Sequence, residues 1–390
     1  MWHISPEGRL VRVGRIGVEE EGASFFRYEE VSSLRVPLDP LNLPLEEKLY
    51  RSRFLGPPLL VFDDTLPDAW GLAILSKRHR QDFLRNRHLA LGLQDTSMVG
   101  GILFSEGPAP PPPPTWIPWK ALKECFAEAQ RFEIRKADLI FRYLGVSGTS
   151  AGGARPKVTV VDETGWPWLV KLPSVNDPSP HTVAQVEAAG LSLAKDMGIP
   201  VPEFRVLRLG GASLLAVKRF DISRLVPPYH GRRVLLSFST LLGGMHMVEE
   251  GYEKAGALLR RVSTAPEEDT LSFFRLALVN VFIVNTDDHL KNFALLWDGR
   301  ELRLSPAFDL VGNLWGMSQH SMFLNGKADG FALQDLISLG RSLGLAPAKA
   351  KAEIAKACTL CSIYLENLKG IPGTGALVSA VKQRLEGLVS

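Results

Sequence analysis

The chain has 390 residues, 45% of them hydrophobic and 22% charged, and 45 Lys and Arg against 42 Asp and Glu give a formal net charge of +3. That apolar fraction can build a core and excludes disorder, while 35 Gly and 27 Pro near average usage exclude collagen. So balanced a charge gives no argument for direct nucleic-acid binding, and three cysteines cannot form a disulfide framework, which fits a reducing compartment. Residues Met1 to Gly22 carry Glu7, Arg9, Arg12 and Arg15 where a secretion signal needs an unbroken apolar stretch. The longest apolar run, Leu276 to Val284, is interrupted by Asn280 and falls well short of the ~20 residues that span a bilayer. A cytoplasmic protein without membrane attachment is expected.

In chain order, Leu10-Val-Arg-Val-Gly14 and Ser24-Phe-Phe-Arg-Tyr28 read as short strands of a small N-terminal α/β domain over 1–106. Within it, Ala69 to Leu91 has helical apolar spacing, and its basic stretch (Lys77, Arg78, His79, Arg80, Arg85, Arg87) reads as a solvated face. The stretch is too modest for independent DNA binding. Residues 107–118, rich in Pro, read as a stiff spacer. A helical segment from Lys120 to Tyr143 then leads through a Gly/Ser loop to strands at Lys157–Val161 and Trp168–Leu172. A helix over 181–198 is closed by Gly198, Pro200 and Pro202, and Glu203–Leu209 and Ser213–Val217 are further strand candidates. From Ser237 the pattern is almost wholly helical, apart from a hairpin-like stretch at 293–304. A β-rich lobe (119–222) thus precedes a helical lobe (223–390), with no internal repeat.

Polar residues are densest in Val284-Asn-Thr-Asp-Asp-His-Leu-Lys-Asn-Phe293, between two apolar runs, as in loops that present function. Asp287 and Asn292 are five apart, the Asp-x-x-x-x-Asn spacing in which a kinase Asp takes the substrate hydroxyl proton and the Asn holds Mg²⁺. Asp309 lies where a second metal-binding carboxylate would be, and Mg²⁺ needs only one or two protein carboxylates beside phosphate oxygens. Asp288 is an alternative base one residue short of the spacing; alternatively both Asp residues cap a helix or form an Asx turn. Lys171 has the apolar strand setting of a phosphate-clamping lysine, or it snorkels from an edge strand. Glu187, sixteen residues on, is its natural ion-pair partner.

The loop Gly145 to Lys157 offers many unhindered N–H groups and suits a phosphate. Gly148 and Gly153 have P-loop spacing, but Ala154 stands where the lysine must be, and G-x-G-x-x-G is absent. Gly148-Thr-Ser-Ala-Gly152 matches G-x-S-x-G, with Asp309 and His320 in the chain order of a hydrolase triad, so a serine hydrolase using Ser150 is an alternative. Its context is reversed, because the loop follows a helix and precedes a strand. Cys358 and Cys361 form a C-x-x-C within a helical run with no second pair or nearby His, and read as buried helix cysteines. The eight His residues are scattered and support no His-based metal site.

Ser150-Ala-Gly-Gly-Ala-Arg-Pro-Lys157, Leu169-Val-Lys-Leu-Pro173, Val217-Lys-Arg-Phe-Asp221, Asn285-Thr-Asp-Asp-His-Leu-Lys-Asn292 and Pro306-Ala-Phe-Asp309 follow one another in the order of the HipA family of serine/threonine kinase toxins. Leu66-Pro-Asp-Ala-Trp-Gly71 resembles the end of that family's N-terminal domain, so the resemblance covers nearly the whole chain. It implies an α+β, bilobal, protein-kinase-like fold related to the lipid-kinase branch, with ATP and Mg²⁺ as cofactors. It further implies a HipB-like helix-turn-helix antitoxin as partner, contact with DNA only through that antitoxin, and a protein substrate such as glutamyl-tRNA synthetase. Carried over by position, Asp287 is the catalytic base, Asn292 and Asp309 are the Mg²⁺ ligands, Lys171 is the ATP lysine, and Lys218 to Phe220 form the adenine hinge. Ser150 is the autophosphorylated serine of a loop with Ala151, Gly152, Gly153 and Lys157. Glu187, His289 and Lys291 complete the nucleotide site, His289 as a brace or in a structural role. Arg155 stands where the family often has Gln. A catalytically idle partner of a DNA-bound repressor is the alternative from another class.

Overall fold

The structure is a computed structural model that describes residues 1–18, 23–31, 36–52, 60–84, 87–93, 95–135, 155–243 and 251–389. The chain falls into two compact units: Met1–Val175 with Ala216–Gly244 and Leu296–Glu301, and Asn176–Leu215 with Met245–Leu295 and Leu302–Ser390.

In the first unit the strands Trp2–Ile4 (β1), Leu10–Arg12 (β2), Gly14–Val18 (β3), Ser24–Tyr28 (β4), Leu49–Arg51 (β5) and Ile102–Leu103 (β6) form two antiparallel sheets, β2-β1-β6 and β3-β4-β5. β4 alternates: Ser24, Phe26 and Tyr28 are buried while Arg27 is exposed, and the Phe26 ring meets Phe62 at 5.2 Å. The helix expected over 69–91 covers only Ala69–His79. Arg80 turns left-handed (φ 54°), its N–H returns to the Ser76 carbonyl, and the Ser76 hydroxyl accepts the Phe83 N–H at 3.0 Å. This redirects Phe83 into the core, where it is fully buried.

Residues 107–118, expected as a spacer, run inside the first unit. Thr96 and Tyr229 donate hydroxyl protons to the Pro112 and Pro111 carbonyls, and Trp116 stacks on His230 with rings 5.5 Å apart. Behind this segment sits a buried ionic clamp. Arg219 pairs with Asp221 at 2.6 Å and donates to the carbonyls of Ser97 and Met98; Arg232 donates to those of Thr96 and Met98; Gly100 N–H donates to Asp221. Burial opposes ionisation of Asp221, yet the Arg219 guanidinium and the Gly100 N–H hold its carboxyl below the usual range.

Lys157–Val161 (β7) and Pro167–Lys171 (β8) pair antiparallel, as the sequence led us to expect, with Lys157 directly opposite Lys171 and Thr159 opposite Leu169. Asp162 ties their turn, accepting from Thr164 and Trp166 N–H and from Trp168 Nε1. With Phe204–Leu209 (β9) and Ala212–Lys218 (β10) the order is β7-β8-β10-β9, and β10 crosses from the second unit into the first at Ala216.

In the second unit the helix Thr182–Met197 ends where Gly198 (φ 82°) returns its N–H to Ala194 and Lys195, the close predicted from Gly198 and Pro200. It packs on Pro347–Leu368, which carries Cys358 and the fully buried Cys361 with free thiols. Pro266–Phe282 opens with Pro266 and three acidic residues in its first turn, which suits the positive end of the helix dipole. Its partner Tyr252–Val262 packs across it. No helix among the described residues is long and apolar enough to cross a membrane.

Candidate functional site

The apolar helix Pro266–Phe282 delivers the polar segment. Ile283 caps it, and Val284 then adopts φ +54°, a conformation costly for a β-branched residue and held in place by the bonds of its neighbour Asn285. Asn285 returns its N–H to the Asn280 carbonyl (2.8 Å), and its side-chain Nδ2 bonds Asn280 Oδ1 (3.0 Å) and the Asp309 carbonyl (3.3 Å). The polar break at Asn280 is therefore a buried anchor for this segment. Asp309 is itself left-handed at φ +58°, so both strained residues flank the junction of 284–285 with 309.

The two adjacent carboxylates have opposite environments. Asp287 projects outward with its side chain 80% exposed, and His289 Nε2 is 3.6 Å from its Oδ1. Asn292 Nδ2 donates to the Asp287 carbonyl at 2.7 Å, which leaves its Oδ1 as an acceptor. Lys291 lies in the same short 3₁₀ turn, Leu290–Asn292. Asp288 is fully buried, and both of its oxygens are used: Oδ2 accepts Tyr252 Oη (2.6 Å) and His320 Nδ1 (3.0 Å), and Oδ1 accepts the N–H of Ser321 (2.8 Å) and Met322 (3.1 Å). Burial and the Asp288 charge push the Tyr252 hydroxyl well above its ordinary pKa, so it stays a donor. The Tyr252 ring closes an aromatic cluster with Phe273 (6.0 Å) and Phe293 (5.9 Å) beneath the segment.

Helix Thr182–Met197 positions Asp309 from the other side. A Cβ at Gly190 would overlap the Leu310 carbonyl oxygen, so only glycine permits this approach. Glu187, one turn earlier on the same face, is buried.

In the first unit, Lys157 is buried and Lys171 half-buried, directly across the β7–β8 pair. Like charges facing each other on adjacent strands destabilise a sheet unless anionic groups compensate. Lys218 Nζ sits 4.9 Å from the Trp166 ring, and Phe220 is half-buried. Ser150, Ala151, Gly152 and Gly153 lie outside the described residues. The hydrolase order fails on His320, which is buried and bonded to Asp288 rather than Asp309. Sequence reasoning missed Tyr252 and Asn285 as anchors; Asn280, a lone amide in an apolar helix, was the available signal. Among the described residues no group of three His, Cys, Asp or Glu side chains is placed to hold a metal ion. The expected pair of Asn292 and Asp309 supplies hard oxygen donors, which suit Mg²⁺ only together with phosphate oxygens.

The model of the HipA-like C-terminal domain matches residues 149–362. Two Sinorhizobium fredii (strain NGR234) proteins described as candidate kinases are related: Y4dM is 31% identical over 54% of this chain and 51% of its own length, and Y4mE is 30% identical over 33% and 32%. The chain thus spans at most about half the length of the curated relatives it matches. A solved structure of Shewanella oneidensis MR-1 HipA, in a complex with HipB and its operator DNA, superposes with a TM-score of 0.71 over 99% of this chain and 96% of that one. At 18% identity this shows the fold, an α+β architecture of the HipA type.

Proposed function

The chain belongs to the HipA-like C-terminal domain family, and on that premise we propose that it is an ATP- and Mg²⁺-dependent serine/threonine protein kinase, the toxin of a toxin–antitoxin pair. The observation that carries the reading is the joining of Asp287, Asn292 and Asp309 through hydrogen bonds of their own segments within one unit, Asn292 to the Asp287 carbonyl and Asn285 to the Asp309 carbonyl. Phosphoryl transfer asks a protein mainly for positioning and charge neutralisation.

Asp287, outward and exposed, accepts the proton of the substrate hydroxyl. Asp288 is unfit for that role, because four donors already fill its carboxylate. Asn292 Oδ1 and Asp309 hold the metal, which supplies charge neutralisation at the phosphates. Lys171, with Lys157 opposite, holds the α/β-phosphates, and Lys218 to Phe220 receive the adenine. Ser150 is the autophosphorylation site, where a phosphate would add roughly −1.5 to −2 charges and oppose ATP. The partner is a helix-turn-helix antitoxin through which DNA is reached, and the substrate is a cytoplasmic protein of translation, of which glutamyl-tRNA synthetase is the first to test.

Intact-mass spectrometry after incubation with ATP and Mg²⁺ tests the reading. Wild type should gain phosphate, whereas Asp287→Ala and Asp309→Asn should not while keeping the wild-type unfolding midpoint. Absence of both transfer and ATP binding in wild type would leave the idle, repressor-binding role in its place.

A further inference from the structure

We propose that the turn at 313–319 is the docking point for the protein substrate, taking up an apolar side chain that flanks the phosphoacceptor residue. The proposal rests on the kinase reading above and names a surface of the same unit that this reading leaves unused.

Trp315 and Met317 are 47% and 63% exposed, large apolar side chains two residues apart. They are not on a loose loop. Asn313 Oδ1 accepts the N–H of Trp315 (3.3 Å) and of Met317 (3.0 Å), its Nδ2 donates to the Met317 carbonyl (2.5 Å), and Gly316 at φ +71° makes the reversal. One side chain thus fixes the turn in shape. A preformed apolar knob binds at little ordering cost, which is what a docking element needs.

Both feet of the turn stand on the segment that carries Asp287. At the first, Asn313 N–H donates to the Val284 carbonyl (2.9 Å), and Gly312 lies so close to the Ile283 carbonyl that a Cβ would come within 2.8 Å of it. At the second, Ser321 N–H bonds the Thr286 carbonyl (3.1 Å), and Ser321 and Met322 N–H close on Asp288. Residues 284, 286 and 288 therefore bracket Asp287 and hold the turn in fixed relation to it. Five consecutive exposed residues, Trp315 to Gln319, carry no charge. This chemistry suits an uncharged, apolar stretch of a substrate chain rather than an acidic or basic one.

The test compares wild type with Trp315→Ala, Met317→Ala and the double variant on a degenerate library of serine- and threonine-centred peptides, alongside ATP affinity by calorimetry. Wild type should select an apolar residue at one position beside the acceptor. The single variants should lose that selection and about tenfold in kcat/KM, a hot-spot-sized effect, with ATP affinity unchanged. Equal transfer and equal selection by wild type and variants would overturn the docking assignment and leave the kinase standing. No transfer and no ATP binding by wild type would overturn both. Self-association of wild type that Trp315→Ala abolishes, with peptide transfer unaltered, would show that a second copy covers the patch and would overturn the assignment as well.

Discussion

Asp288 holds the segment beside it in place by accepting four hydrogen bonds in a site closed to water. Asp288→Ala would strand the Tyr252 hydroxyl, the His320 ring and two backbone N–H groups, and each orphaned buried group costs about 1–3 kcal/mol. We expect a loss of at least about 3 kcal/mol in urea unfolding, together with loss of phosphate transfer. Asp288→Asn, which keeps one acceptor oxygen for the two N–H groups, should lose less. Spacing in the sequence separated Asp287 from Asp288 by a single residue, and only burial distinguishes them. That burial depends on Tyr252 and His320, 36 and 32 residues away, so no local pattern could have announced it. The pairing of Asp287 with Asn292 was legible because their spacing is a property of one turn.

Helix Thr182–Met197 shows which element boundaries a sequence makes legible. Its end was readable because Gly198 supplies the left-handed cap and Pro200 forbids continuation. The stop at His79 was not, since Arg80 adopts the same backbone conformation without being glycine, supported by the two-way use of Ser76. Two glycines of Thr182–Met197 and its cap separate stability from chemistry. Gly198→Ala should lower stability by about 1 kcal/mol with transfer unchanged, because it strains the cap and otherwise meets only the end of the Arg275 side chain, 3.1 Å from the new methyl. Gly190→Ala should cost about 1–3 kcal/mol and also reduce transfer, since its new methyl meets the Leu310 carbonyl next to Asp309. Thermal unfolding and the mass-spectrometric assay, run on both variants, would expose an equal effect on activity, which would refute the distinction.

Across the whole chain, acid should weaken the fold well before its carboxylates titrate. His3, nearly buried in β1, is pushed down to about 4 by loss of solvent. Its folded pKa lies below the unfolded value, so the unfolded chain binds the extra proton, and stability present above about pH 6.5 drains away as pH falls toward 4. The contribution of His3 to the loss between pH 7.5 and pH 5 should be about 2 kcal/mol by urea titration, and His3→Gln should remove that part, leaving the losses of the same sign from His230 and His79, whose pKa values burial also lowers. Asp221, with its carboxyl held low, adds a loss of the same sign only at more acid pH, as it takes up a proton. The clamp around Asp221 also sets where the chain can be cut. The stretch recognised as the family domain begins at residue 149, yet Arg219 and Arg232 inside it donate hydrogen bonds to the carbonyls of Thr96, Ser97 and Met98. A truncation starting after the Pro-rich segment would strip the buried Arg232 of its carbonyl acceptors and leave Arg219 with Asp221 alone, a penalty that water could relieve only by opening the lobe. Such a fragment should be cleaved by trypsin at those arginines, whereas the intact chain should resist there.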